Sequence, residues 1–275
     1  MGYANLLAHL QLGQPNTALL NLVNGLAKIC EASVIGIAAR QPMRVVYAEG
    51  YMPEGLIEQD QADIEAEIGA AETEFRAAMR SLPTTSGWRS VVTYEALSAV
   101  LAREARCGDL IITGLDREGS VFEASRHVDV GDLVMQAGRP CLVVPTGVES
   151  LALDHAVVGW KDTTETRRAV SDALPLLAVA KQVTVVELAR PDDVAAARGR
   201  VQDVAAWLAR HGITAQAVTE PMTDDVPQLE RFLADRHADL IVAGAYGHSR
   251  VREWVLGGVT RDLLLHGNRC ALVSH

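Results

Sequence analysis

Short apolar runs alternate along this chain with longer stretches in which apolar residues recur every three or four positions. Residues 6–12, 33–39, 90–94, 109–113 and 141–144 are runs of the first kind and predict five strands. Between the first two, Leu19, Val23, Leu26 and Cys30 predict a helix ending near Cys30, with Asn16 placed to cap it. Ile57, Ile64, Ile68, Phe75 and Met79 mark the inward stripe of a long second helix. Its other face carries Glu58, Asp63, Glu65, Glu67, Glu72 and Glu74, which reads as a solvated acidic face. Residues 83–87, from Pro83 to Gly87, read as a break, and 96–106 as a third helix.

After a connection at 145–150 the pattern restarts. Residues 155–160, 183–188, 214–218, 239–243 and 271–273 predict five more strands. Thr163 caps a helix reaching towards Ala180 and kinked at Pro175. Pro191, Asp192 and Asp193 open another, with Val194, Val201, Val204 and Leu208 inward and Gly212 closing it. Asp224 or Asp225 caps a third with Pro227 in its first turn, and 259–265 reads as a fourth. Strands alternating with helices in both halves are the signature of parallel sheets built from right-handed crossovers.

The two halves are a repeat. Shifted by 130 residues, 109–143 aligns with 239–273 without a gap. The halves are identical at Asp109, Leu110, Ile111, Gly114, Val121, Glu123, Asp132, Leu133, Arg139, Leu142 and Val143. Such agreement predicts two homologous domains, 1–147 and 152–275.

Composition narrows the function classes. The chain has 275 residues, 49% of them apolar, enough for a substantial core. A net charge of −10 without any Lys/Arg block, and an aromatic content of 4% without a stacking platform, argue against nucleic acid and anionic membranes. No Lys or Arg precedes the first apolar residues, so the start does not read as a secretory signal, and no apolar stretch is long enough to cross a bilayer. Cys30, Cys107, Cys141 and Cys270 form no C-x-x-C and read as buried reduced thiols of a cytoplasmic protein. The eight histidines show no metal-ligand spacing.

The candidate chemistry lies at Gly244-Ala245-Tyr246-Gly247-His248 and onwards to Gly257-Gly258-Val259-Thr260. A strand precedes this loop and a helix follows it. Glycines let backbone approach an anion, and a helix start offers unpaired N–H groups and partial positive charge. Arg250, Arg252 and Arg261 lie in or beside the loop, and Thr260 supplies a hydroxyl. The spacing is neither that of the P-loop nor that of the dinucleotide fingerprint, so the glycines by themselves read sooner as turns than as a phosphate loop.

Gly244, Gly247, Gly257, Gly258, Val259 and Thr260, with the strand 238–244 before them and Val157-Val158-Gly159-Trp160 before a Thr-capped helix, resemble the nucleotide loop and framework of the universal stress protein family. The resemblance covers the second half and reaches the first through the repeat. It implies an α/β fold of two Rossmann-like domains. Each would be a five-stranded parallel sheet of order 3-2-1-4-5 with helices on both faces, and the two would pair through their fifth strands. It further implies an adenine-nucleotide site at the carboxyl ends of the second-domain strands, formed by Gly159, Trp160, Lys161, Asp162, Thr163, Leu188, Gly244, Gly247, His248, Arg250, Gly257, Gly258, Val259 and Thr260. Leu188 takes the position of the backbone contact to adenine. Gly258 stands where serine is usual, and Lys161 where an acidic residue is usual, so a phosphate hydroxyl is lost and a phosphate-pairing lysine or a plain surface lysine is gained. Trp160 either stacks on a base or plugs the cleft, and His248 is a phosphate contact or an exposed loop histidine. In the first half Gly114 persists, but Arg117, His127, Val128 and Val130 replace the remaining motif positions. That domain is expected to have lost the loop and to serve as a packing partner. Arg117, Arg126 and His127 are either a site for another ligand or scattered surface groups.

Two functions follow from the resemblance: a cytoplasmic stress-response protein that binds ATP, with Mg²⁺, in its second domain, or a tandem protein that binds no nucleotide and acts as a scaffold or holds another ligand. No catalytic constellation is expected, at most slow ATP hydrolysis. A homodimer of the two-domain chain stays open.

Overall fold

The computed structural model describes residues 2–43, 55–115, 125–223, 225–245 and 269–275. The first half runs β1 (Asn5–His9), α1 (Thr17–Cys30), β2 (Ser33–Arg40), α2 (Leu56–Met79), β3 (Ser86–Val92), α3 (Leu97–Glu104), a 3₁₀ turn (Ala105–Cys107), β4 (Leu110–Gly114), α4 (Val130–Ala137) and β5 (Cys141–Val144). The second runs β6 (His155–Gly159), α5 (Thr164–Asp172), α6 (Leu174–Leu177), β7 (Gln182–Ala189), α7 (Val194–Arg210), β8 (Ala215–Pro221), α8 (Asp225–Asp235), β9 (Leu240–Gly244) and β10 (Cys270–Ser274).

All ten of these strands form one sheet, ordered β3-β2-β1-β4-β5-β10-β9-β6-β7-β8. Within each half the strands are parallel and follow the expected 3-2-1-4-5 order. The halves meet at the antiparallel pair β5–β10, where Leu142 faces its repeat counterpart Leu272. The offset of 130 read from the sequence is the structural offset: Ile111 pairs with Cys141, and Ile241 with Ala271. One identical pair has a visible task. Asp109 accepts hydrogen bonds from the amides of Ala4 and Asn5 (2.8 and 2.9 Å), and Asp239 from that of Asp154 (2.7 Å). Each carboxylate seats the start of its half's first strand beside the fourth.

Strands β4, β5, β9 and β10 are apolar on both faces because helices cover both. One face carries a core that runs through both halves, with α1, α2, α5, α6 and α7 contributing Leu20, Phe75, Val170, Leu176 and Val201. On the other face α3 and α4 cover the first half, and α8 covers part of the second. No described helix is long and apolar enough to cross a membrane.

Several expectations need correction. The acidic face of α2 is not simply solvated. Glu74 accepts from the Asn16 amide (3.1 Å) and the Thr17 hydroxyl (2.7 Å), so a side chain from α2 closes the start of α1. Asn16 stands at the N-cap position but bonds Gln11 and Gln14 backbone instead, shaping the turn before the helix. Glu67 pairs with two arginines, as described below. Ile57, at the first turn of α2, is 49% exposed rather than inward.

Strand β3 begins at Ser86, inside the stretch read as a break. It is an edge strand paired with β2 alone, where a glycine such as Gly87 is tolerated. Cys107 is exposed and Cys30 half-buried, whereas Cys141 and Cys270 are buried; burial pushes the thiols of the latter two up to about 12. Helix α4, which the apolar pattern did not reveal, starts where the Asp129 carboxylate accepts from the Asp132 amide (2.9 Å). The helix after Thr163 breaks at Ala173, with Pro175 in the first turn of α6.

Candidate functional site

Between β6 and β9 the strand order reverses, and the crevice at the carboxyl ends of such a pair is where open parallel sheets bind ligands. Five of the expected residues leave β6 here in sequence. Gly159 lies opposite Ala243 of β9, in ordinary contact with its surroundings. The Trp160 amide donates to the Val186 carbonyl (2.7 Å), and its indole packs on the core shared with α5 and α7, its buried Nε1 finding no partner among the described residues. Lys161 and Asp162 are exposed, and Asp162 pairs with Arg167 at 2.6 Å. Thr163 is buried and caps α5, its hydroxyl accepting from the Thr166 amide at 3.3 Å. Leu188 sits on neighbouring β7, two residues beyond the partner of Gly159, half-buried against the α8 core.

The start of α5 is already satisfied from within. Burial pushes the Glu165 carboxyl up, but hydrogen bonds from its own amide and the Thr163 hydroxyl, with the charges of His275 and Arg168, outweigh this and hold it below the usual range. A carboxylate therefore occupies the positive end of the helix.

Gly244 ends β9 against this helix start. A Cβ there would stand 2.4 Å from the Thr166 nitrogen and 2.7 Å from the Glu165 carbonyl carbon. Glycine at this position is thus required by helix seating, a reason independent of any ligand. Ala245, next in the chain, is fully buried; its amide donates to the Ser274 carbonyl (2.8 Å) and its carbonyl faces His275 Nδ1 (3.2 Å). Gly247, His248, Arg250, Gly257, Gly258, Val259 and Thr260 lie outside the described residues.

The first half carries different residues at the same positions. His9 ends β1 as Gly159 ends β6, and lies opposite Thr113, the repeat counterpart of Ala243. It is 1% exposed, and its Nδ1 lies 2.9 Å from the Thr113 hydroxyl. Burial, with a contribution from His127, lowers its pKa to about 4. An imidazole and a hydroxyl thus stand where the second half has a glycine and an alanine.

Alongside, Arg40 at the end of β2 is bound by Glu67 (2.5 Å) and Asp60 (3.4 Å) of α2, and Glu67 also takes the Arg126 guanidinium. Arg126, one of the residues considered for a separate ligand, is engaged by this carboxylate. His127 is exposed, and Arg117 lies outside the described residues. At the corresponding end of β7 in the second half, Arg200 of α7 joins Glu187 and Asp193 (both 2.6 Å). Among the described residues no cluster of His, Cys, Asp or Glu is placed to hold a metal ion.

Sequence reasoning passed over His9, Arg40 and Glu165. The first two carried a signal: an ionisable residue inside or directly ending a run otherwise read as a buried strand. Glu165 carried a weaker one, an acidic residue two positions after a capping threonine.

The sequence matches no family model and no curated protein. The fold does match known structures over the full length of the chain. A universal stress protein from Archaeoglobus fulgidus superposes with a TM-score of 0.72 at 14% identity, covering 98% of this chain and 95% of that one. A protein of unknown function from Pseudomonas aeruginosa does so with a TM-score of 0.68 at 14% identity, covering 99% and 92%. The fold is that of a tandem, two-domain universal stress protein.

Proposed function

We propose that this chain is a tandem universal stress protein of the cytoplasm that binds one adenine nucleotide, ATP with Mg²⁺, at the carboxyl end of the second-half sheet. The observation that supports this reading best is the asymmetry between the two crevices. One has the buried His9 and Thr113 at the strand ends with the Arg40–Glu67–Arg126 cluster beside them, while the other has Gly159 and Ala243 at the same positions. Units 1–147 and 152–275 then divide the work, the first as packing partner and the second as binding domain.

In this reading the glycine loop from Gly244 through Gly247 to Gly257, Gly258 and Val259 wraps the phosphates, with the Thr260 hydroxyl, His248 and Arg250 beside them. Lys161 has the exposure to reach a phosphate, and the Leu188 backbone meets the adenine. Asp162, exposed and paired with Arg167, is the carboxylate available to a magnesium ion carried in with the triphosphate. Trp160 is spent on the core rather than on a base. Gly258 in place of serine removes one hydroxyl, at a cost of about 1.5–3 kcal/mol, or roughly 10- to 100-fold in affinity. Catalysis amounts at most to slow ATP hydrolysis.

The test is to purify the protein without added nucleotide, identify small molecules released on denaturation by mass spectrometry, and titrate ATP with Mg²⁺ by calorimetry. One nucleotide per chain, abolished by Gly247→Val in a folded protein, supports the site. No released nucleotide and no heat at millimolar ATP overturns it in favour of the scaffold or other-ligand reading, for which Glu165 at the start of α5 and the packed Trp160 already speak.

A further inference from the structure

The root of the second-half loop leaves its own half's core. On the face covered by α8, Ile241, Ala243 and Ala271 pack with Val157, Val186, Phe232 and Leu233. Ala245, two residues past Ala243, is fully buried in the other cluster, with Val273 and with Val128, Val130, Leu133 and Val134 of the first half. Helix α4 packs across the junction onto β10. Strand β10 in turn holds Ala245 through the Ser274 carbonyl and pairs with β5, Val273 lying opposite Cys141. The point from which the chain departs into the glycine loop is therefore held by a backbone hydrogen bond from β10 and buried in a cluster that takes in the first half's helix.

From this we infer that α4 of the first half positions the start of the second half's glycine loop, so that the packing of a half without a nucleotide crevice sets the nucleotide affinity of the other. The affinity clause rests on the function proposed above; the positional clause does not. Elements on the far side of the second half, β7 and α8, are packed around a separate cluster and stand outside this coupling. By linkage, nucleotide bound in the second half also tightens the first-half helix.

The experiment uses the full chain with Val134→Ala in α4 and, as a stability-matched control, Leu229→Ala in α8. Amide hydrogen exchange is followed by mass spectrometry, and ATP affinity is measured at a temperature where all three proteins are folded. The expected result is faster exchange, about tenfold, in the peptide holding Ala245 for Val134→Ala. Peptides from β6 and β7 should be unchanged, and the control should have no such effect. ATP affinity should fall by about tenfold in Val134→Ala alone. Exchange at Ala245 that is unaltered, or altered equally by Leu229→Ala, overturns the inference. If the wild-type chain takes up no ATP, the nucleotide reading fails, while exchange at Ala245 still decides whether α4 positions the loop.

Discussion

Gly244 and Thr166 touch so closely that no side chain fits between them: a Cβ on Gly244 would lie 2.4 Å from the Thr166 backbone nitrogen. The obstacle is backbone in a capped helix start, so it cannot swing away as a side-chain tip would. At the repeat counterpart, Gly114, the nearest obstacle is the flexible end of the Gln11 side chain, at 3.3 Å. Gly244→Ala is expected to cost about 1–3 kcal/mol through displacement of α5, and Gly114→Ala less than about 1 kcal/mol. Urea denaturation of the two variants checks the contrast; equal losses would contradict it.

His9 makes the first half sensitive to acid. Its folded pKa is lowered to about 4, from an ordinary value of 6.5, so the fold favours the neutral ring. The stability gained from this is complete above pH 6.5 and is lost as pH falls from there towards 4, where the unfolded chain binds the extra proton. The difference across that window is about 3 kcal/mol. In His9→Asn the slope of stability against pH should fall by close to one proton between pH 6.5 and 4, as measured by denaturation midpoints in a pH series. An unchanged slope would mean that His9 is not the titrating group.

Glu67 bridges Arg40, whose side chain is 7% exposed, and Arg126. Removing a carboxylate from a buried guanidinium leaves a desolvated charge, only partly compensated here by Asp60. Glu67→Gln is expected to destabilise by about 2–3 kcal/mol. Asp162→Asn, which breaks an ion pair more than half exposed on both sides, should change stability by less than about 0.5 kcal/mol. Thermal unfolding of the two variants at pH 7 separates these outcomes.

Under the proposed function, Gly258→Ser returns the missing hydroxyl to the phosphate loop. ATP affinity should rise by roughly tenfold or more. Calorimetry on the variant and the unaltered chain reads the difference directly. A Gly258→Ser protein with wild-type affinity would remove the phosphate contact from the reading.

Much of the architecture was legible in the chain itself. The alternation of apolar runs and three-to-four spacings is a local property, and it marked the core of every described strand but β3, where it reached only the last residues, Ser90 to Val92. The 130-residue repeat went further and predicted two like halves, while the β5–β10 junction seen between Leu142 and Leu272 was implied by the resemblance to universal stress proteins. Thr163 as a helix cap was also local, since donor and acceptor lie three residues apart. The place of the candidate site followed from the same reading: Gly159 to Thr163 and Gly244 arrive together at one end of the sheet because parallel strands put their carboxyl ends on the same side.

What tertiary structure decided were the partners of residues far apart in sequence. Glu67 and Glu74 look like any exposed helix carboxylates until the fold brings Arg40, Arg126 and the start of α1 to them. Gly244 looks like a glycine kept for a phosphate until the first turn of α5, nearly eighty residues earlier, is found against it. His9 is one letter in an apolar run, yet the fold buries it opposite Thr113, where the second half has Gly159 opposite Ala243. The periodicity of a sequence reports which way each side chain faces relative to its own element; what it faces is set by the packing of the others.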